Sequence, residues 1–124
     1  MRLLPFLIIL LIAGCVKTTR TYKPVIITTY QYNNVWILDC LSKPEADSII
    51  KIVAAKTEQP ILKISYSAKE LMKSKDDKKY TLSCDHVDVF TAEQRGTLAD
   101  AGTAYEVEKK NGTWVVKGSY KWSL

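Results

Sequence analysis

Apolar and polar positions along this chain recur with two different periods, and the switches between them mark its elements. Val35 to Leu41, "VWILDCL", is a nearly continuous apolar run of strand length and is expected to be buried. The next segment, "SKPEADSIIKIVAAK" (42–56), changes to helical spacing: Ala46, Ile49, Ile50 and Val53 fall at i, i+3, i+4 and i+7 and share one face. Ser42 and Glu45 stand at capping-box separation, and Pro44 lies in the first turn, where a missing N–H leaves nothing unsatisfied. Glu45 and Asp47 near its start, with Lys51 and Lys56 further along, suit the helix dipole. Gln59-Pro60 ends the turn that follows.

From Ile61 to Tyr66 the period returns to two, with Leu62, Ile64 and Tyr66 alternating against Ile61, Lys63 and Ser65, which predicts a half-buried strand. "SAKELMK" (67–73) repeats the Ser-x-x-Glu spacing and predicts a short helical turn, followed by a solvated loop over "KSKDDKK" (73–79). "YTLSCDHVDVFT" (80–91) reads as another strand whose apolar parity changes near Asp85-His86, and a β-bulge there would return both halves to the core. In the last segment Asn111-Gly112 separates two alternating runs, the strongest short-range hairpin signal. Trp114, Val116, Tyr120, Trp122 and Leu124 share one parity of its second strand, so one apolar face and one wet face are expected.

These elements predict an α+β fold, one helix packed on a twisted, mostly antiparallel sheet of about four to five strands. That order resembles the cystatin-like and nuclear-transport-factor-like cones in architecture.

The N-terminus differs from all of this. Arg2 is followed by Leu3, Leu4 and Phe6 to Ile12, interrupted only by Pro5, and then by small Ala13 and Gly14. The run is shorter than the roughly 20 residues of a membrane-spanning helix and has the layout of a secretory signal peptide. The tetrapeptide Ile12-Ala13-Gly14-Cys15, "IAGC", resembles the lipobox of bacterial lipoproteins. The resemblance covers only these first residues. It implies that the Cys15 thiol receives a diacylglycerol, that the chain is cut before it, and that its new amino group is acylated, since two or three acyl chains hold a protein stably where one does not. A plain signal peptide or an uncleaved anchor with an inert Cys15 is the competing reading. In the lipoproteins of enteric-type bacteria an aspartate at the Val16 position favours inner-membrane retention, so for such a host the resemblance implies attachment to the outer membrane, facing the periplasm. The expected organisation is therefore a signal peptide over 1–14, a lipidated tether over 15–33 and one globular domain over 34–124.

Within the tether, "PVIITTYQY" (24–32) is β-branched and aromatic and favours an extended strand. It would form an edge strand of the domain's own sheet or add to a partner's, in which case Val25, Ile26, Ile27, Tyr30 and Tyr32 are the candidate partner-binding residues. Assigning Cys15 to lipid leaves Cys40 and Cys84, and in an exported chain these are expected to form a disulfide worth roughly 3–4 kcal/mol, with two buried thiols as the alternative. Removing Arg2 from the 18 basic residues leaves 17 against 13 acidic ones, a charge of +4. The lysines are dispersed and mixed with acids, which is no nucleic-acid footprint.

Chemistry-bearing motifs are sparse. There is no Gly-x-Ser-x-Gly, phosphate-binding glycine loop or His-Glu-x-x-His. His86 is the single histidine; Cys84 and Asp85 beside it invite a nucleophile reading, but neighbours in a strand point to opposite faces, so Asp85 is misplaced to orient it. Zinc on Cys40, Cys84 and His86 lacks the closely spaced ligand pairs of structural sites. Asp85 and Asp88 read as solvated strand charges, with lysine pairing or a glycosidase-type carboxylate pair as the alternatives. The aromatics Trp36, Tyr105, Trp114, Tyr120 and Trp122 read as core and cross-strand pairs before a ligand surface. No catalytic residue, metal or cofactor is expected. The expected function is a membrane-anchored, non-catalytic binding or accessory module for an envelope protein or assembly of secretion, conjugation or pilus type. An alternative is an inhibitor or exclusion factor: "AGTAY" (101–105) followed by "WVVKG" (114–118) resembles small β-barrel lipoprotein inhibitors of lysozyme, from which the predicted helix departs. A small envelope hydrolase is the third reading.

Overall fold

The computed structural model describes residues 27–93 and 100–124. Cys15, Val25 and Ile26, with the signal peptide and most of the tether, lie outside the described residues.

The chain forms β1 (Thr29–Tyr32), β2 (Val35–Leu38), α1 (Lys43–Ala54), β3 (Ile61–Tyr66), α2 (Ala68–Asp76), β4 (His86–Ala92), β5 (Ala101–Lys110) and β6 (Thr113–Ser123). All six strands join one sheet in sequence order. Every neighbouring pair is antiparallel except β2 and β3, which run parallel because α1 returns the chain between them. The fold is α+β, as the pattern predicts, with six strands and two helices where about four to five and one were expected. Among the described residues the sheet is open, and β1 and β6 are its edges.

Local chemistry accounts for the elements that were legible. Ser42 caps α1: its hydroxyl accepts from the Glu45 N–H at 3.3 Å while the Glu45 carboxylate accepts from the Ser42 N–H at 3.3 Å. Both helix-end donors are satisfied reciprocally. Asn111 and Gly112 turn β5 into β6 with φ of 51° and 78°, the left-handed conformation that a two-residue hairpin requires. Asn33 and Asn34 do the same between β1 and β2, at φ of 52° and 63°.

The core lies between α1 and one face of the sheet. Ala46, Ile49 and Val53 of α1 cluster with Ile37, Ile64, Val87, Val89, Val107 and Trp114. Burying each large aliphatic side chain here contributes roughly 1.5–3 kcal/mol.

Three expectations need correction. Tyr80 to Asp85 is not strand; β4 begins at His86, and no bulge forms at Asp85-His86. The predicted turn over 67–73 extends into the nine-residue α2, so that Lys73 to Asp76 are helical. The apolar face of β6 is split: Glu106 pairs with Gly118 and Val107 with Val116, leaving Lys117 as an extra residue. A one-residue insertion exchanges the faces beyond it. Trp114 and Val116 therefore face α1, while Tyr120 and Trp122 face the other side.

Candidate functional site

Of the candidate partner residues, Ile27, Tyr30 and Tyr32 are described and lie at the β1 edge. Ile27 is exposed just before β1. Tyr30 and Tyr32 point toward α1 and are used by the domain itself: the Tyr30 hydroxyl donates to the Leu41 carbonyl at 2.7 Å, and the Tyr32 hydroxyl donates to Asp47 Oδ2 at 3.1 Å, with Lys43 Nζ 5.6 Å from its ring centroid. That acceptor carboxylate raises the Tyr32 pKa, as burial and Asp39 raise that of Tyr30. Since the Asp39 N–H donates to the Thr28 carbonyl, alternation along the hairpin turns the N–H and C=O of Thr29 and Gln31 outward, to the free edge. Trp36 on β2 lies beside this edge and is 51% exposed.

Cys40 and Cys84 are joined in a disulfide. The bridge passes from the end of β2 to the segment before β4, over the end of β3, where the Tyr66 hydroxyl lies 3.8 Å from Cys40 Sγ and 3.9 Å from Cys84 Sγ. A bridged sulfur offers no thiolate, so the pairing of Cys84 with His86 as nucleophile and base is lost. His86 instead faces Glu108 across β4 and β5, Nε2 to Oε1 3.8 Å.

On the sheet face away from α1, the first turn of α2 forms one wall of a groove of about 380 Å³. Its floor is the row that β4, β5 and β6 present here. Asp88 and Glu106 are direct cross-strand partners, as are His86 and Glu108. The wall carries Lys69 and Lys73, and Lys117 Nζ stands 3.6 Å from Glu108 Oε2 on the opposite rim.

Asp88 is the residue that sequence reasoning misplaced. Far from being a solvated strand charge, it is 1% exposed. Its Oδ2 accepts from the Tyr120 hydroxyl at 2.7 Å and from the Ala68 N–H of α2 at 3.1 Å, while Oδ1 has no partner among the described residues. Burial pushes the Asp88 carboxyl above the ordinary aspartate range; the Tyr120 hydroxyl and the Ala68 N–H act against this without cancelling it, and Glu106 adds to the rise. Burial and then Asp88 itself raise the Tyr120 hydroxyl far above the usual tyrosine value. The available signal was the Ser67-x-x-Glu70 cap, because a helix starting at Ala68 covers the β4 face that carries Asp88. Glu70 is likewise buried, and it accepts from the Tyr80 hydroxyl and from the Ser83 N–H, fixing the loop that leads to Cys84.

The remaining aromatics divide between the faces. Trp114 and Tyr105 belong to the α1 side. Trp122 lies over its partner Gly102, donates Nε1–H to the Thr91 carbonyl at 2.8 Å and meets Phe90 edge-on at 6.2 Å. A Cβ on Gly102 would collide with that carbonyl.

No group of three His, Cys, Asp or Glu side chains converges to hold a metal among the described residues. No helix among them is long and apolar enough to cross a membrane. The segments 101–105 and 114–118 lie on the adjacent strands β5 and β6, out of register with each other, in a sheet that does not close into the barrel of the inhibitors they resemble. Compared with known proteins, the chain matches no family model, no curated protein sequence and no solved structure.

Proposed function

We propose that this protein is a lipid-anchored envelope protein that acts as a non-catalytic docking module, using the β1 edge of its sheet to bind another envelope protein. The observation that carries the reading is the contrast between the two edges. β1 is short, unbulged and free of lysine and proline, with the outward backbone groups of Thr29 and Gln31 unpaired among the described residues; β6 is bulged at Lys117 and carries Lys121, devices that block edge pairing. The lipobox-like "IAGC" and the disulfide are consistent with an exported, membrane-tethered chain.

Two substitutions test it. Cys15→Ser is expected to abolish lipid labelling and to move the protein from the membrane to the soluble fraction with its fold kept. Gln31→Pro removes an N–H that faces away from β2, a position an edge strand tolerates, and blocks strand addition. It is expected to reduce partner recovery from detergent-solubilised envelopes at least about tenfold, a loss of about 1.4 kcal/mol. Equal recovery would overturn docking through β1, and continued membrane attachment of Cys15→Ser would overturn the anchor.

A further inference from the structure

The groove beside α2 is floored by two carboxylates that form no ion pair among the described residues, and the cation that bears on Asp88 is Lys69 of the α2 wall. Asp88 and Glu106 stand directly opposite each other on β4 and β5, where like charges repel. Asp88 is almost fully buried with Oδ1 unpaired, and its other oxygen already has two donors. Glu106 forms no ion pair among the described residues, and its Oε2 lies 3.4 Å from the point where a side chain on Gly118 would begin. Lys117 on the opposite rim is engaged by Glu108.

We propose that this groove binds a ligand bearing an organic cation, an ammonium or guanidinium group, which donates to Asp88 Oδ1 and to Glu106. A cavity of about 380 Å³ falls in the range of small-ligand sites. Ammonium and guanidinium groups carry several donors and no acceptor, the complement of a floor that offers carboxylate oxygens. A metal ion is a poorer fit, because three ligating side chains do not converge. Lys69 and Lys73 on the α2 wall would meet an anionic part of the same ligand, so a zwitterion fits the whole groove. The cation has two sources, a free small amine or an arginine or lysine side chain of a protein partner. The site lies over β4 to β6, away from the β1 edge, and stands whether or not docking through β1 occurs.

The test is a ¹H–¹⁵N NMR titration of the full chain in detergent micelles with three probes. Agmatine represents the free amine, acetyl-Gly-Arg-Gly-amide the protein side chain, and the same peptide with citrulline an uncharged isostere. Agmatine or the arginine peptide is expected to shift the Ala68, Asp88 and Glu106 amides with a dissociation constant of about 1 mM or tighter. The citrulline peptide is expected to leave them unmoved. Asp88→Asn and, separately, the more exposed Glu106→Gln are each expected to weaken binding at least about tenfold. Preference for agmatine assigns a small amine, and preference for the peptide a protein side chain. If neither cationic probe shifts these amides up to about 10 mM, or citrulline binds as well as arginine, the carboxylates are balanced by a proton and the proposal is overturned. Undiminished binding by both folded variants would overturn it equally.

Discussion

On one face of strands β3 to β5, Ile64, Val87, Val89 and Val107 meet the apolar stripe of α1; on the other face stand Asp88 of β4, Glu106 of β5 and Tyr120 of β6. Both faces are covered by a helix capped in the same way, by a serine three residues before a glutamate. The two glutamates diverge. Glu45 closes its capping box and reaches Lys109 Nζ at 3.3 Å, whereas Glu70 turns away from Ser67 to bind Tyr80 and Ser83. The first arrangement starts a helix and ties it to β5. The second ties a helix to the loop that carries the disulfide, and lets the N-terminus of α2 bear on Asp88. The difference teaches that a sealed apolar interface and a polar groove can be built on one sheet when its strands alternate and only one helix brings an apolar stripe.

Removing the element common to both faces should produce the largest effect. The Cys40→Ser, Cys84→Ser double variant is expected to lose roughly 4 kcal/mol in urea unfolding, since a 44-residue loop is freed in the unfolded chain. Next comes the sealed face alone: Ile49→Ala, at a fully buried site, is expected to lose about 3 kcal/mol with an unchanged denaturant slope. A loss below about 1 kcal/mol would mean that α1 is not packed as described. Ser42→Ala removes the α1 cap and should lower stability by about 1 kcal/mol, measured the same way.

The smallest effects carry the sharpest contrast, because the two faces have opposite pH signs. Burial pushes the Glu45 carboxyl up, but hydrogen bonds from the Ser42 N–H, Lys109 and the Ser42 hydroxyl outweigh it and hold it below the ordinary range. Its contribution is therefore present above the unfolded pKa, about 4.3, and is lost as pH falls through the lower folded value. Asp88, whose carboxyl is raised chiefly by burial, behaves the other way: its contribution is full below about 3.9 and is lost as pH rises through the higher folded value. Asp88→Asn supplies a donor in place of one carboxylate oxygen, so at pH 7 it is expected to be as stable as the wild type or up to about 1 kcal/mol more so. That advantage should shrink toward pH 4, whereas the deficit of Glu45→Gln should shrink on acidification. Stability curves for the two variants that ran parallel to the wild type would remove the contrast.

How far the sequence could be read follows from the range of the interactions. The α1 cap, the Asn111-Gly112 turn and the apolar stripe of Ala46, Ile49 and Val53 are contacts within a few residues, and each is visible in the order of residue types. The Asn33-Asn34 turn had the same chemistry available in its two asparagines. The β6 pattern misled for the opposite reason. Trp114 and Trp122 have the same parity in sequence, yet Lys117 is unpaired only with reference to Glu106 and Val107 on another strand.

For the candidate site the division is sharper. Sequence alone determined that the chain alternates strands with one strongly amphipathic helix, that a lipobox-like cysteine precedes a β-prone segment, and that Cys40 and Cys84 are available to pair. These depend on residue type and near neighbours. Only the tertiary structure decided that Asp88 is buried with an oxygen unpaired, that Glu106 faces it, and that α2 and β4 to β6 enclose a groove around them. Burial of a carboxylate is a property of what the rest of the fold lays over it: here a helix N-terminus from residue 68 and a tyrosine from residue 120 meet on a strand at residue 88, separations across which no local periodicity carries information.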